Sequence, residues 1–110
     1  MSFYLFRGRY STDSLRALVD EPQDREAAAG AMIENMGGKL HHLFFCFGED
    51  DVVALIEAPD DSTMAACALV VGASGMMSGG STTKLMTSKD AMKAMEAAGK
   101  GRANYQTVGS

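Results

Sequence analysis

Residues 46–61 read CFGEDDVVALIEAPDD, and the reading of this stretch decides the fold. Its last thirteen residues carry six acids and no base, wrapped around a run of aliphatics. Gly48-Glu49-Asp50 is a short turn between two apolar runs, KLHHLFFCF at 39–47 and DVVALIEA at 51–58. Strands joined by so short a connection form an antiparallel hairpin. Pro59 stops the second strand, and Asp60 or Asp61 caps the helix that follows.

Upstream of the hairpin, Gly37-Gly38 ends a helix with a ready left-handed cap. Ala28, Met32, Ile33 and Met36 precede it at helical spacing. Pro22 interrupts an earlier helical segment, which starts at the cap cluster Ser11-Thr12-Asp13 and carries Leu15, Leu18 and Val19; the restart places Pro22 in its first turn. SFYLFRGRY at 2–10 is an aromatic-rich first strand. Downstream, Met64, Cys67, Ala68 and Val71 give a helix one buried face. The Gly/Ser-rich residues 72–80 read as a loop, 81–86 as a short fourth strand, and Thr87 with Asp90 as a capping box for a helix over 88–98. One domain then spans 1–98, with 99–110 a polar tail.

The order β-α-β-β-α-β with an added C-terminal helix is that of a ferredoxin-like α+β sandwich, four antiparallel strands with helices on one face. A half-exposed strand alternates apolar and polar residues. Val52, Val53, Ala54, Leu55 and Ile56 do not alternate, and neither do Leu43, Phe44, Phe45, Cys46 and Phe47. The helices cover one face of the sheet; the other is too apolar for water and calls for a second copy of the same sheet. Two such sheets face to face make a dimeric α/β barrel with a cleft or cavity between them. A core filled solid by side chains is the alternative.

Bulk properties narrow the class. The chain has 110 residues, 46% hydrophobic and 22% charged, which suits one ordinary globular domain. A net charge of −4 argues against nucleic acid as the main partner. Arg7 and Arg9 interrupt the N-terminal apolar stretch before signal-peptide length, and the longest apolar run, 64–73, is far short of the roughly 20 residues of a membrane span. No membrane partner and a cytoplasmic location are therefore expected. Cys46 and Cys67 sit in apolar contexts as free thiols. The acidic block of Glu49, Asp50, Asp51, Glu57, Asp60 and Asp61 and the later basic residues Lys84, Lys89, Lys93, Lys100 and Arg102 read either as solvated faces or as complementary patches in an oligomer.

GGKL at 37–40, the aromatic strand, Phe47-Gly48 and DVVALIEAPDD at 51–61 resemble the GYD-domain proteins over about residues 4–87. This family is assigned to the dimeric α/β-barrel superfamily. Of the Gly, Tyr and Asp that name it, Gly48 and Asp51 match, while Asp50 stands at the tyrosine position, so a phenolic role there is not available to this chain. The resemblance implies the fold and an oligomer. The wider superfamily includes haem-degrading and cofactor-free quinone-forming monooxygenases, small isomerases and ligand-binding domains of transcription regulators, and fold alone does not choose among them.

Several residues invite chemistry. His41 and His42 are strand neighbours and should point to opposite faces, so only one can face a cavity, as general base or haem ligand. His42 would share its face with Phe44 and Cys46, and His41 with Leu43, Phe45 and Phe47. His42 and Cys46 are about 13 Å apart on an extended strand, too far to share a zinc ion. The acidic block lacks calcium-loop spacing, and its members serve equally as helix caps and turn residues. The stretch 72–84 fails as a phosphate loop because Lys84 follows the hydroxyls inside a strand. The methionines, Met76, Met77, Met86, Met92 and Met95 among them, fill gaps more readily than they bind Cu(I). No metal and no cofactor are expected. Arg7 and Arg9 share a face of the first strand with Phe3 and Leu5, and Arg7 would anchor a carboxylate or phenolate ligand if that face lines the cavity.

The expected protein is a homodimer or higher oligomer whose inter-sheet cavity holds a small apolar or aromatic molecule, with Arg7, Phe44 and Cys46 as ligand contacts. The alternative is a cofactor-independent monooxygenase or isomerase with His42 or His41 as acid–base group. A second alternative is a purely structural assembly through the Met-rich last helix and the tail.

Overall fold

The computed structural model describes residues 1–109. Its elements are β1 (Ser2–Tyr10), α1 (Thr12–Asp20), α2 (Arg25–Asn35), β2 (Lys39–Phe45), β3 (Val52–Ala58), α3 (Asp61–Ala73), β4 (Met77–Leu85) and α4 (Ser88–Gly101), followed by a 3₁₀ turn, Arg102–Asn104. The strands form one sheet in the order β2-β3-β1-β4, and every neighbouring pair is antiparallel. This is the ferredoxin-like arrangement.

Each helix starts where a side chain satisfies its free amides. Ser11 Oγ accepts from Ser14 N, Asp24 Oδ1 from Glu26 N, Asp60 Oδ1 from Thr63 N and Thr87 Oγ1 from Asp90 N. Asp24, not Pro22, opens the restarted helix, and Pro22 lies in the connection before it. α2 ends at Asn35 with Met36 as its cap, and Gly37 follows with a φ of 94° that only glycine adopts easily. Gly37 N donates to Glu34 O and Gly38 N to Ile33 O, the paired bonds of a Schellman cap.

β4 corrects the sequence reading. It begins at Met77, within the stretch expected to be a loop, and pairs with β1 as far as Leu85. Of the glycines that suggest a loop, Gly80 fits the sheet for a packing reason: a Cβ there would lie 2.8 Å from Arg7 O, and one on Gly8, its cross-strand partner, 2.8 Å from the Phe6 ring.

The core lies between the sheet and helices α2 and α3. Tyr4, Ile33, Ala54, Ile56, Ala58, Met64 and Cys67 are buried there, with Phe6, Met32, Met36, Leu40 and Leu43 packed against them. Along β3, burial alternates strictly: Val52, Ala54, Ile56 and Ala58 are buried and Val53, Leu55 and Glu57 half-buried. The strand is apolar on both faces but covered on only one.

α4 lies apart from this body. All of its residues but Ala91 are exposed, including Met92 and Met95. The radius of gyration is 18.1 Å, against about 13 Å for a compact chain of this length. α1 buries no residue either.

Candidate functional site

Two regions gather chemistry, one on each face of the sheet. On the open face, cross-strand pairs set three rows. Lys39, Glu57, Phe3 and Leu85 form the first, His42, Leu55, Leu5 and Thr83 the second, and Phe44, Val53, Arg7 and Ser81 the third.

The histidines depart from strict alternation. The β2–β3 register shifts between Leu40 and His42, so His41 is the extra residue of a bulge. Its ring stays on the open face, with Nε2 2.9 Å from Glu57 Oε1 and the ring centroid 5.6 Å from that of Phe3. His42, opposite Leu55, stacks on Phe44 at 5.7 Å. Both histidines therefore share one face, where alternation alone predicts one on each. Sequence gives no register, so this bulge is invisible before pairing is known.

Arg7 is exposed on the same face, two strands from Phe44 and roughly 10 Å away between backbones. Cys46 sits at the hairpin turn, where its thiol donates to Asp50 O at 3.3 Å. Asp51 ties this turn to the end of β1: its N donates to Gly8 O, and its Oδ2 accepts from Tyr10 N at 2.9 Å. Arg9 donates to Glu49 O. Two of the hairpin acids thus anchor β1, Asp51 through its side chain and Glu49 through its carbonyl. Among the described residues, no three His, Cys, Asp or Glu side chains converge as metal ligands.

The covered face holds a cavity of about 180 Å³ between the sheet and helices α2 and α3. Residues 27–31, AAAGA, leave room for it: half-buried Ala29 and the exposed Ala28 line the space with side chains too small to fill it. Phe6, Leu43 and Val52 line it from the sheet, Met32 and Ile33 from α2, Met64 and Cys67 from α3. Burial pushes the Cys67 thiol up, so it stays protonated and inert.

One end of the cavity is polar. There β1 ends, α2 begins, and Met76 and Met77 lead into β4. Tyr10 is 4% exposed, and burial raises its hydroxyl pKa, with the nearby Arg25 guanidinium opposing. Arg25 donates from Nη1 to Gln23 Oε1 at 2.8 Å and from Nη2 to Met76 Sδ at 3.6 Å. Its Nε is buried with no hydrogen-bond partner among the described residues, and no described carboxylate forms an ion pair with it. None of Arg7, His41, His42, Phe44 or Cys46 lines this cavity. The sequence reading passed over Arg25 and Tyr10; its one available signal was the small-residue run after Arg25.

A third cluster has a structural role. The Tyr4 hydroxyl donates to Asp61 Oδ1, and Lys84 Nζ lies 2.9 Å from the same oxygen. The Tyr4 hydrogen bond first, then Lys84, hold the Asp61 carboxyl below its ordinary range, while Asp61 raises the Lys84 ammonium. One of the later basic residues is thus paired with an acid of the hairpin stretch within the chain.

An antiparallel sheet in this order, with helices on one face and an apolar open face on the other, defines an α+β protein of ferredoxin-like class. The chain belongs to the GYD-domain family, whose model matches residues 4–108. Solved structures of the same fold include FFRP-DM1, with a TM-score of 0.54 at 10% identity, covering 78% of this chain and 100% of that one. TTHA0845 from Thermus thermophilus has a TM-score of 0.53 at 16% identity, covering 80% and 96%. MtbAldR has 0.53 at 14%, covering 78% of this chain and 52% of its own. At such identities the likeness is one of fold. A comparison with curated protein sequences found no match. Among the described residues, no helix is long and apolar enough to cross a membrane.

Proposed function

We propose that the chain is a binding protein, a homodimer through the open face of its sheet, that holds one small apolar or aromatic molecule per chain. The observation that carries this reading is the apolar cavity of about 180 Å³ on the helix side. An apolar cavity of about 150 Å³ takes up benzene, and this space, partly open to solvent, offers a similar volume. The ligand site thus lies within each chain, on the side of the sheet opposite the cleft that two stacked sheets would enclose. Half-buried Phe3, Leu5, Val53 and Leu55, with Phe44 at 61% exposure, supply the apolar surface that a second sheet covers. Solvent extraction of protein purified from its own host tests the reading. It predicts about one small molecule per chain; an empty extract from folded protein counts against it.

A second reading is favoured by the His41–Glu57 contact. A carboxylate 2.9 Å from a ring nitrogen orients the imidazole for proton transfer, and His42 and Arg7 share its face. In this reading the chain is a cofactor-independent oxygenase or isomerase acting in the interface between two sheets. His41→Ala and His42→Ala would each abolish turnover of a substrate taken up there; unchanged turnover in both would end it.

A further inference from the structure

Resting on the cavity as the ligand site, we propose that its ligand is an anion: a ring-sized apolar molecule with a carboxylate or phenolate oxygen, held by Arg25. The cavity wall is almost wholly aliphatic and aromatic, so it selects for size and apolarity alone. The exception is the end where Arg25 and Tyr10 meet. A guanidinium keeps its charge at any ordinary pH and presents five N–H donors in a fixed fork. Of the Arg25 nitrogens, Nη1 has a side-chain oxygen, Nη2 a thioether and the buried Nε no hydrogen-bond partner among the described residues, while the guanidinium also interacts with the Tyr10 hydroxyl. Nε and Nη2 lie on one edge of the fork, the edge that matches the two oxygens of a carboxylate.

No described carboxylate pairs with Arg25 to neutralise this charge. A buried N–H without an acceptor, as at Nε, is costly unless another molecule completes it, and a thioether is a weak acceptor for its neighbour Nη2. Tyr10, also lining the cavity, has a hydroxyl that burial keeps protonated, and it adds a donor at the same end. The apolar space takes the ring or short chain of the ligand and the Arg25 end takes its oxygen.

The test uses isothermal titration calorimetry at pH 7 on the full chain with benzoate, hexanoate and benzyl alcohol. Benzyl alcohol matches benzoate in size without its charge. Benzoate and hexanoate are expected to bind about tenfold or more tightly than benzyl alcohol, the increment of a charge-assisted contact. Arg25→Gln should erase that preference while leaving benzyl alcohol within about twofold, as the apolar wall is untouched. Ala29→Leu, which fills the cavity, should abolish binding of all three, with thermal unfolding confirming that each variant is folded. Equal affinity for the neutral and charged probes, or a preference that survives Arg25→Gln, overturns the anion assignment and leaves the cavity reading standing. No binding of any probe to the wild-type chain overturns both.

Discussion

The two faces of the sheet differ in cover more than in composition. On β3, Ile56 faces α2 and α3 and is 4% exposed, while its neighbour Leu55 faces outward and is half-buried. Both are aliphatic residues of one strand. One face meets its helices within the chain; the other keeps side chains half-buried or exposed, Leu55 and Phe44 among them. In the proposed dimer the difference separates two tasks, folding and assembly, between alternate residues of the same strand, and it can be tested residue by residue.

The largest effect should come from the covered face. Ile56→Ala removes a fully packed side chain and is expected to cost about 2–5 kcal/mol in urea denaturation. A cost near that of an exposed site would break the contrast. Leu55→Asp should leave the monomer fold nearly intact and dissolve the assembly, because a charge in the centre of the open face cannot be buried against a second sheet. Light scattering should show the mass halve; an unchanged oligomer would place the interface elsewhere.

A third region sharpens the comparison. α4 packs on neither face, and its Met92 and Met95 stay exposed. Deleting residues 87–110 should therefore leave both the melting temperature and the number of chains per assembly unchanged. If assembly is lost instead, the Met-rich helix rather than the open face is the interface.

The smallest effect concerns Tyr4, Asp61 and Lys84. Asp61 has a lowered pKa when folded, so its contribution is present above the ordinary carboxylate range and fades as pH falls through the folded value. Lys84 and Tyr4 have raised values, so theirs are present at neutral pH and fade as pH rises through the folded values. Stability should be flat near neutrality and decline at both extremes. Asp61→Asn should shrink both declines, seen as urea midpoints against pH. Because Asp61 and Lys84 are exposed, the change is small.

Much of the fold was legible in the sequence because its signals are local. The Asp60 cap, the Gly37-Gly38 helix end and the hairpin around Gly48 each rest on a few adjacent residues, and the run VVALI reports its two apolar faces directly. What escaped depends on residues far apart in the chain. β4 looked like a loop because glycine has low strand propensity, yet the close approach of Arg7 O on β1 requires glycine at position 80. The bulge at His41 exists only in relation to β3. The cavity arises from small side chains on α2 facing large ones across the core, and Arg25 reaches it only after α2 has packed on the sheet. Of the residues singled out for chemistry, Arg7, His41, His42 and Phe44 share the open face, and Cys46 lies at the hairpin turn.

The central claim is a homodimer carrying one small ligand in each chain. Native mass spectrometry of protein purified from its own host tests it most directly, since one spectrum reports assembly and ligand together. The account predicts a species of twice the 11.6 kDa chain mass plus one small molecule per chain, with the added mass lost in Ala29→Leu. A bare single-chain mass under the gentlest conditions would contradict it.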